Sequence, residues 1–375
     1  MLNIIVDQRA SSGIGVYALE LFNLLEPRID SISLISASYM EGPALQPPWV
    51  HPSFLPVSGS PALALLALVR GQRRLARWDV VRNATNWLCG AHYSLVGAGR
   101  YSIATVHDFH IRSFREISAL PVPGIAREIS TLMTYVENHV AIPEVDLIIV
   151  PSLKTQEEVA TELGVKSYVI PHWINRSRFH PRDQAHCREI LGLPRNAKLI
   201  LNVGAGTANK NEDCLTELLE RLPMEYHLLK VGHMPKRASE RVIGISYLSD
   251  EMYPLAFNAA NVYVHTSTAE GFGRPLIEAM GCGTPVVSFE TPTAVEILGP
   301  NYPFLVKPGD VLGLVNCVRR LESPERVSDA TASLSTRAGC FSEELARDRY
   351  IGLLSTVPEV AALMRKERKP IHAGD

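Results

Sequence analysis

Short apolar runs alternate with helical patterns along this chain, and near its middle the alternation starts over. Leu2–Val6 reads as a first strand and residues 15–25 as the helix after it. Residues 102–106 and 146–150 read as later strands, 155–163 as a helix, and 168–170 closes the series. Pro171-His172-Trp173-Ile174-Asn175 reads as a hinge, with Pro181 just beyond. Residues 198–203 then form a new apolar strand running into Gly204-Ala205-Gly206, followed by a helix over 212–222 and a strand over 226–231. Further strand candidates are 262–264, 286–288 and 303–306. Parallel strands need a crossover, and a helix supplies it, so this order predicts parallel sheets. The expected fold is α/β: two Rossmann-like doubly wound domains facing each other across a cleft. A chain of 375 residues is long for one domain and comfortable for two. The boundaries read as 1–170, 171–345, and a C-terminal helix and tail over 346–375 that can cross back to the first domain.

In such sheets ligands bind beyond the carboxyl ends of the strands. The strongest signal lies there, in Glu270-Gly271-Phe272-Gly273-Arg274-Pro275-Leu276-Ile277-Glu278. An apolar strand leads in and Ala279-Met280-Gly281-Cys282-Gly283-Thr284-Pro285-Val286-Val287 leads out, which reads strand, loop, helix, tight turn, strand. The glycine-rich loop offers backbone N–H groups and a helix N-terminus to an anion. The two carboxylates can accept hydrogen bonds from ligand hydroxyls. A ligand with a diphosphate in the middle and diols at both ends, such as a nucleotide-sugar, suits this pattern. The plainer alternative is a capping acid at Glu270 and a solvated Glu278, which the flanking glycines disfavour.

Three weaker signals accompany it. Ser12-Gly13-Ile14-Gly15-Val16-Tyr17-Ala18 matches G-x-G-x-x-A, but its glycines follow the strand at a distance and Asp30 is poorly placed as the ribose acid. It reads either as a loop touching phosphates or acceptor, or as a simple strand-to-helix turn. Thr105-Val106-His107-Asp108 ends a strand, so His107 either meets a sugar hydroxyl or is structural; Asp108 is a candidate to orient it. Lys210, ahead of a helix, either neutralises a diphosphate as a point charge or is solvated.

The remaining features exclude more than they assign. A net charge of −2 gives no argument for nucleic acid. The six cysteines (Cys89, Cys187, Cys214, Cys282, Cys317, Cys340) show no CxxC and no metal-like spacing, and read as free thiols. Residues 1–7 look like a strand rather than a basic leader, and the longest apolar run, 61–69, is too short to span a bilayer. The expected location is cytoplasmic. Arg70, Arg73, Arg74 and Arg77 share one helical face, with Leu65, Leu68, Val69 and Ala76 available for an apolar one. That helix is either an ordinary solvated one or a peripheral contact with the inner membrane.

Together these residues resemble retaining glycosyltransferase family 4, of the GT-B fold, over nearly the whole chain. Glu270 and Glu278 resemble its E-x7-E pair, Gly13-Ile14-Gly15-Val16-Tyr17 its G-I-G-x-Y loop, and Thr105-Val106-His107-Asp108 its T-[IV]-H-D segment. Ile148 to Ser152 and Val169-Ile170-Pro171 are similar to its strand–helix–hinge pattern. Within the family the combination is most similar to bacterial mannosyltransferases of polysaccharide and O-antigen assembly. The resemblance implies catalytic roles at the donor sugar for His107 and Glu270. It implies donor binding by Gly13, Gly15, Lys210, Tyr247, Leu248, Gly271, Phe272, Gly273, Arg274, Leu276 and Glu278. Among these, Glu278 would take the ribose, Lys210 the diphosphate, and Tyr247 and Leu248 the nucleobase. It implies no metal or other cofactor, a nucleotide-sugar donor (GDP-mannose before UDP-hexoses), and a saccharide or lipid-linked saccharide acceptor. Three positions depart from the pattern: Asn209 stands where Arg usually precedes the lysine, Ser12-Gly13 replaces Gly-Gly, and His172-Trp173 replaces Asn-Gly. Arg274 is the candidate to replace the missing charge. The rival readings are a GT-B nucleotide-sugar epimerase or phosphorylase, and an NAD-dependent dehydrogenase built on Gly13, Gly15 and Ala18.

Overall fold

A computed structural model describes residues 1–6, 13–36, 49–50, 79–89, 98–108, 137–204, 208–235 and 239–365. The chain divides into two compact units, one of Met1–Pro151, Thr155–Ile170 and Arg347–Asp375, the other of Ser152–Lys154 and Pro171–Ala346.

The first unit is built on seven parallel strands: β1 (Leu2–Val6), β2 (Ile32–Ser36), β3 (Trp49–Val50), β4 (Thr85–Cys89), β5 (Tyr101–Thr105), β6 (Leu147–Val150) and β7 (Tyr168–Val169). Their order is β3-β2-β1-β4-β5-β6-β7. Every residue of β1, β4 and β6 is buried, which is why β1 and β6 read as largely apolar runs rather than alternating ones. Two asparagines interrupt β1 and β4. Asn3 and Asn86 are register partners, and Asn3 Nδ2 donates to Asn86 Oδ1 at 3.0 Å. The helix after β1 begins at Gly13, not at residue 15, and runs to Leu25. Gly13 to Ala18, read as part of a ligand-touching loop, therefore lie in that helix, whose first turn holds no acidic residue.

The helix Glu343–Leu354 passes from the second unit into the first. Its Tyr350 hydroxyl lies 2.9 Å from that of Tyr17, which in turn lies 3.2 Å from Thr105 Oγ1. Trp87 Nε1 donates to the same Thr105 oxygen at 2.8 Å. Burial pushes both phenols far above their usual pKa, so they stay neutral donors.

The second unit holds six parallel strands: β8 (Lys198–Gly204), β9 (Tyr226–Gly232), β10 (Val242–Ile245), β11 (Val262–His265), β12 (Val286–Phe289) and β13 (Leu305–Val306). Their order is β10-β9-β8-β11-β12-β13. The chain leaves β8 toward β9 on one side and reaches β11 on the other, so the topological switch point lies between the carboxyl ends of β8 and β11. Gly232 ends β9 at φ 103°, and a Cβ there would collide with the Gly204 carbonyl, so the close approach of β9 to β8 requires glycine. No described helix is long and apolar enough to cross a membrane. The basic face of Arg70, Arg73, Arg74 and Arg77 lies outside the described residues.

Candidate functional site

Two loops meet at the switch point of the second sheet. The 3₁₀ turn Ala208–Lys210 follows β8, and residues 266–273 follow β11. Several hydrogen bonds join them, among them Asn209 Nδ2 to Ala269 O at 2.8 Å, Thr268 N to Asn209 O at 2.8 Å, and Thr266 Oγ1 to Lys210 O at 2.8 Å. Asn209, standing where the family pattern has arginine, thus ties the two loops together. The tie brings Lys210 and Glu270, sixty positions apart, into a hydrogen-bonded ion pair through Glu270 Oε1. Burial works against the ionised form of Glu270. The His265 ring, the Lys210 ammonium, and hydrogen bonds from Lys210 and Ser267 outweigh it and hold the carboxyl below its usual value.

His265 is a residue that the sequence reading missed. It ends β11 with its Nε2 3.9 Å from the same Glu270 oxygen, and its Nδ1 lies 2.9 Å from the Tyr263 hydroxyl. Burial lowers its pKa to about 4, so the ring is neutral at pH 7. The available signal was a histidine closing an otherwise apolar strand five positions before the first glutamate.

The helix Arg274–Cys282 starts from Gly273, whose φ of 95° is left-handed and favours glycine. Pro275 occupies its first turn, where a missing N–H costs nothing. Glu278 is buried and accepts a hydrogen bond from the Tyr253 hydroxyl at 2.9 Å. Arg274 Nε lies 3.6 Å from Glu278 Oε1, one turn along the same helix. Phe272 offers a ligand only its backbone, because its ring is buried edge-on against His172, 5.0 Å away, and Phe341, 5.9 Å away. The Gly271 carbonyl accepts from Ser152 Oγ at 2.6 Å. The Leu276 side chain belongs to the core of the unit, and its N–H donates to Gly273 O at 2.9 Å. Tyr247 is exposed and Leu248 half-buried, just past the end of the edge strand β10.

The other predicted residues belong to the first unit. His107 lies two positions past β5, half-buried, and the Tyr17 ring meets it edge-on at 4.6 Å. Asp108 is exposed. Gly13 is exposed at the helix start, and a Cβ there would meet nothing within 4 Å, whereas Gly15, two residues on, is buried. Tyr17, read only as part of a motif, is the residue that packs against His107.

Comparison with known proteins matches residues 11–178 to the model of Glycosyltransferase Family 4 and residues 183–339 to that of Glycosyl transferases group 1. The chain is 29% identical over 187 residues to O-antigen chain mannosyltransferase B of Escherichia coli, covering 45% of this chain and 49% of that protein. It is 26% identical over 187 residues to the putative teichuronic acid biosynthesis glycosyltransferase TuaC of Bacillus subtilis, covering 48% of each. The chain thus spans about half the length of these curated relatives. Among solved structures, sucrose-phosphate synthase of Thermosynechococcus elongatus superposes with a TM-score of 0.74 at 20% identity, covering 95% of this chain and 98% of that one. Anabaena HepE in complex with UDP and glucose gives 0.71 at 18% identity, covering 95% and 99%. The fold is GT-B.

Proposed function

The chain belongs to the family 4 and group 1 glycosyltransferases, and from that premise we propose that it moves a hexosyl group from a nucleoside diphosphate to a saccharide or lipid-linked saccharide hydroxyl in cell-surface polysaccharide assembly. The observation that carries this reading is the cluster of Lys210, Glu270 and His265 at the switch point of a doubly wound sheet, with Glu278 one helical turn beyond the glycine loop. An ammonium suits the leaving diphosphate, and the start of the Arg274–Cys282 helix adds its partial positive charge. Glu270 meets hydroxyls of the sugar, and Glu278 those of the ribose. His107 is assigned to the donor sugar near the scissile bond. Transfer proceeds with retention, the departing phosphate helping to deprotonate the acceptor, and no metal is needed. Mannosyl from GDP-mannose is the favoured donor, on the likeness to two proteins named mannosyltransferases. The protein works on the cytoplasmic side of the membrane.

A thermal-shift screen in EDTA with GDP, UDP, ADP, GDP-mannose, UDP-hexoses and NAD tests this, because a ligand selective for the folded state raises apparent stability. A rise with GDP and GDP-mannose alone is expected. A rise with UDP compounds alone keeps the activity class and overturns the donor, and a response to NAD alone overturns the class.

Arg274 carries a separate expectation. If its guanidinium stands in for the charge absent at Asn209, Arg274→Ala lowers donor turnover about tenfold or more, as loss of a hydrogen-bonded charge in a dry site does. Unchanged turnover leaves it as the partner of Glu278 alone.

A further inference from the structure

The Nε2 atom of His265 is buried, in a ring only 3% exposed, and finds no hydrogen-bond partner among the described residues. A buried polar atom left unmatched costs about 1–3 kcal/mol, so its position calls for a reason. The carboxylate 3.9 Å away supplies one. That gap exceeds hydrogen-bonding distance, yet a shift of about 1 Å closes it. The neighbouring negative charge favours the tautomer in which Tyr263 donates to Nδ1 and Nε2 carries the proton, pointing at Glu270. The groups facing Glu270 are Lys210 from the turn after β8, His265 and Tyr263 from β11, and the Ser267 hydroxyl from the loop.

We propose that His265 is a positioning residue that takes the place of Lys210 on Glu270 when an anionic leaving group draws the lysine away. The idea rests on the donor-binding reading above. Lys210 and His265 converge on one oxygen, and in the free protein the lysine holds it. A diphosphate competes for the ammonium. Without a replacement partner the buried Glu270 carboxyl would rise in pKa and take up a proton as the ligand binds. With His265 it stays ionised and keeps its direction. Neutral imidazole is suited to this because it donates without adding a second cation that would repel Lys210.

The test measures proton uptake on binding. GDP and UDP are titrated calorimetrically at about pH 6 in two buffers of different ionisation enthalpy, with the wild type, His265→Asn and His265→Gln. Asn mimics Nδ1 and keeps the Tyr263 bond but does not reach Glu270; Gln reaches toward Glu270 as Nε2 does. His265→Asn is expected to take up roughly half a proton more per ligand than the wild type, and its affinity to fall as pH rises, while His265→Gln follows the wild type. Equal uptake by wild type and His265→Asn overturns the exchange, as does equal excess uptake by both variants, which marks a purely structural role. If neither nucleotide binds the wild type, the donor reading itself fails, and the exchange with it.

Discussion

Replacing Glu270 with glutamine is expected to lower donor turnover by at least about a hundredfold while leaving nucleoside diphosphate binding intact. The amide keeps the size of the carboxylate and removes its charge, so the effect reports electrostatics rather than packing. Removing one preorganised group that faces developing charge typically costs 10²- to 10³-fold, about 2.7–4 kcal/mol, in a site closed to water. Glu270 is such a group: it is largely buried, held below its usual pKa, and fixed by Lys210 within a pair of loops that are themselves tied together. The variant also frees Lys210 from its partner, so GDP or UDP should bind at least as tightly as before. The loss therefore falls on kcat and not on KM. Steady-state kinetics with the donor found by thermal shift, beside calorimetry with the bare nucleotide, separates the two. A kcat within about threefold of wild type would remove Glu270 from the chemistry.

The architecture was legible because its signal is repetitive. β1 and β6 are fully buried parallel strands, and burial on both faces forces the apolar runs that were read directly. β4 was missed because Thr85 and Asn86 break its hydrophobic pattern, and only the structure shows Asn86 satisfied by Asn3 and by the Val81 carbonyl. The site was legible where chemistry and local sequence coincide. Gly273 needs its positive φ, Pro275 its place in the first helical turn, and Glu278 follows four positions after Arg274. Contacts between distant segments were not legible. Nothing in the sequence says that Asn209 bonds Ala269, that His265 turns toward Glu270, or that Tyr350 seats Tyr17 beside His107.

Replacing Glu212 with glutamine is expected to cost about 3 kcal/mol of stability, the low end for stripping one partner from a buried ion pair. Lys230 on β9 is 0% exposed, with its ammonium 3.1 Å from Glu212 Oε1 and donating to the Gly204 carbonyl at 3.0 Å. Burial depresses its pKa, and Glu212 works against that depression. Without the carboxylate the folded pKa falls further below the unfolded value of about 10.4. Between those two values the unfolded chain binds more protons than the folded one, so the stability of the variant rises with pH across that interval. The melting temperature should drop by roughly 6–12 °C near pH 7, and the gap to wild type should narrow toward about pH 9. Adding Lys230→Met should recover much of the loss, since it removes the unpaired charge itself. A pH-independent deficit without rescue would mean that Glu212 acts through something other than Lys230, such as His233, 3.0 Å from its other oxygen. The pair matters for the site as well as for the fold. Lys230 holds the carbonyl at the end of β8 from which the chain leads to Lys210, so loosening it should weaken nucleotide binding in the same variant and recover it with the same pH dependence.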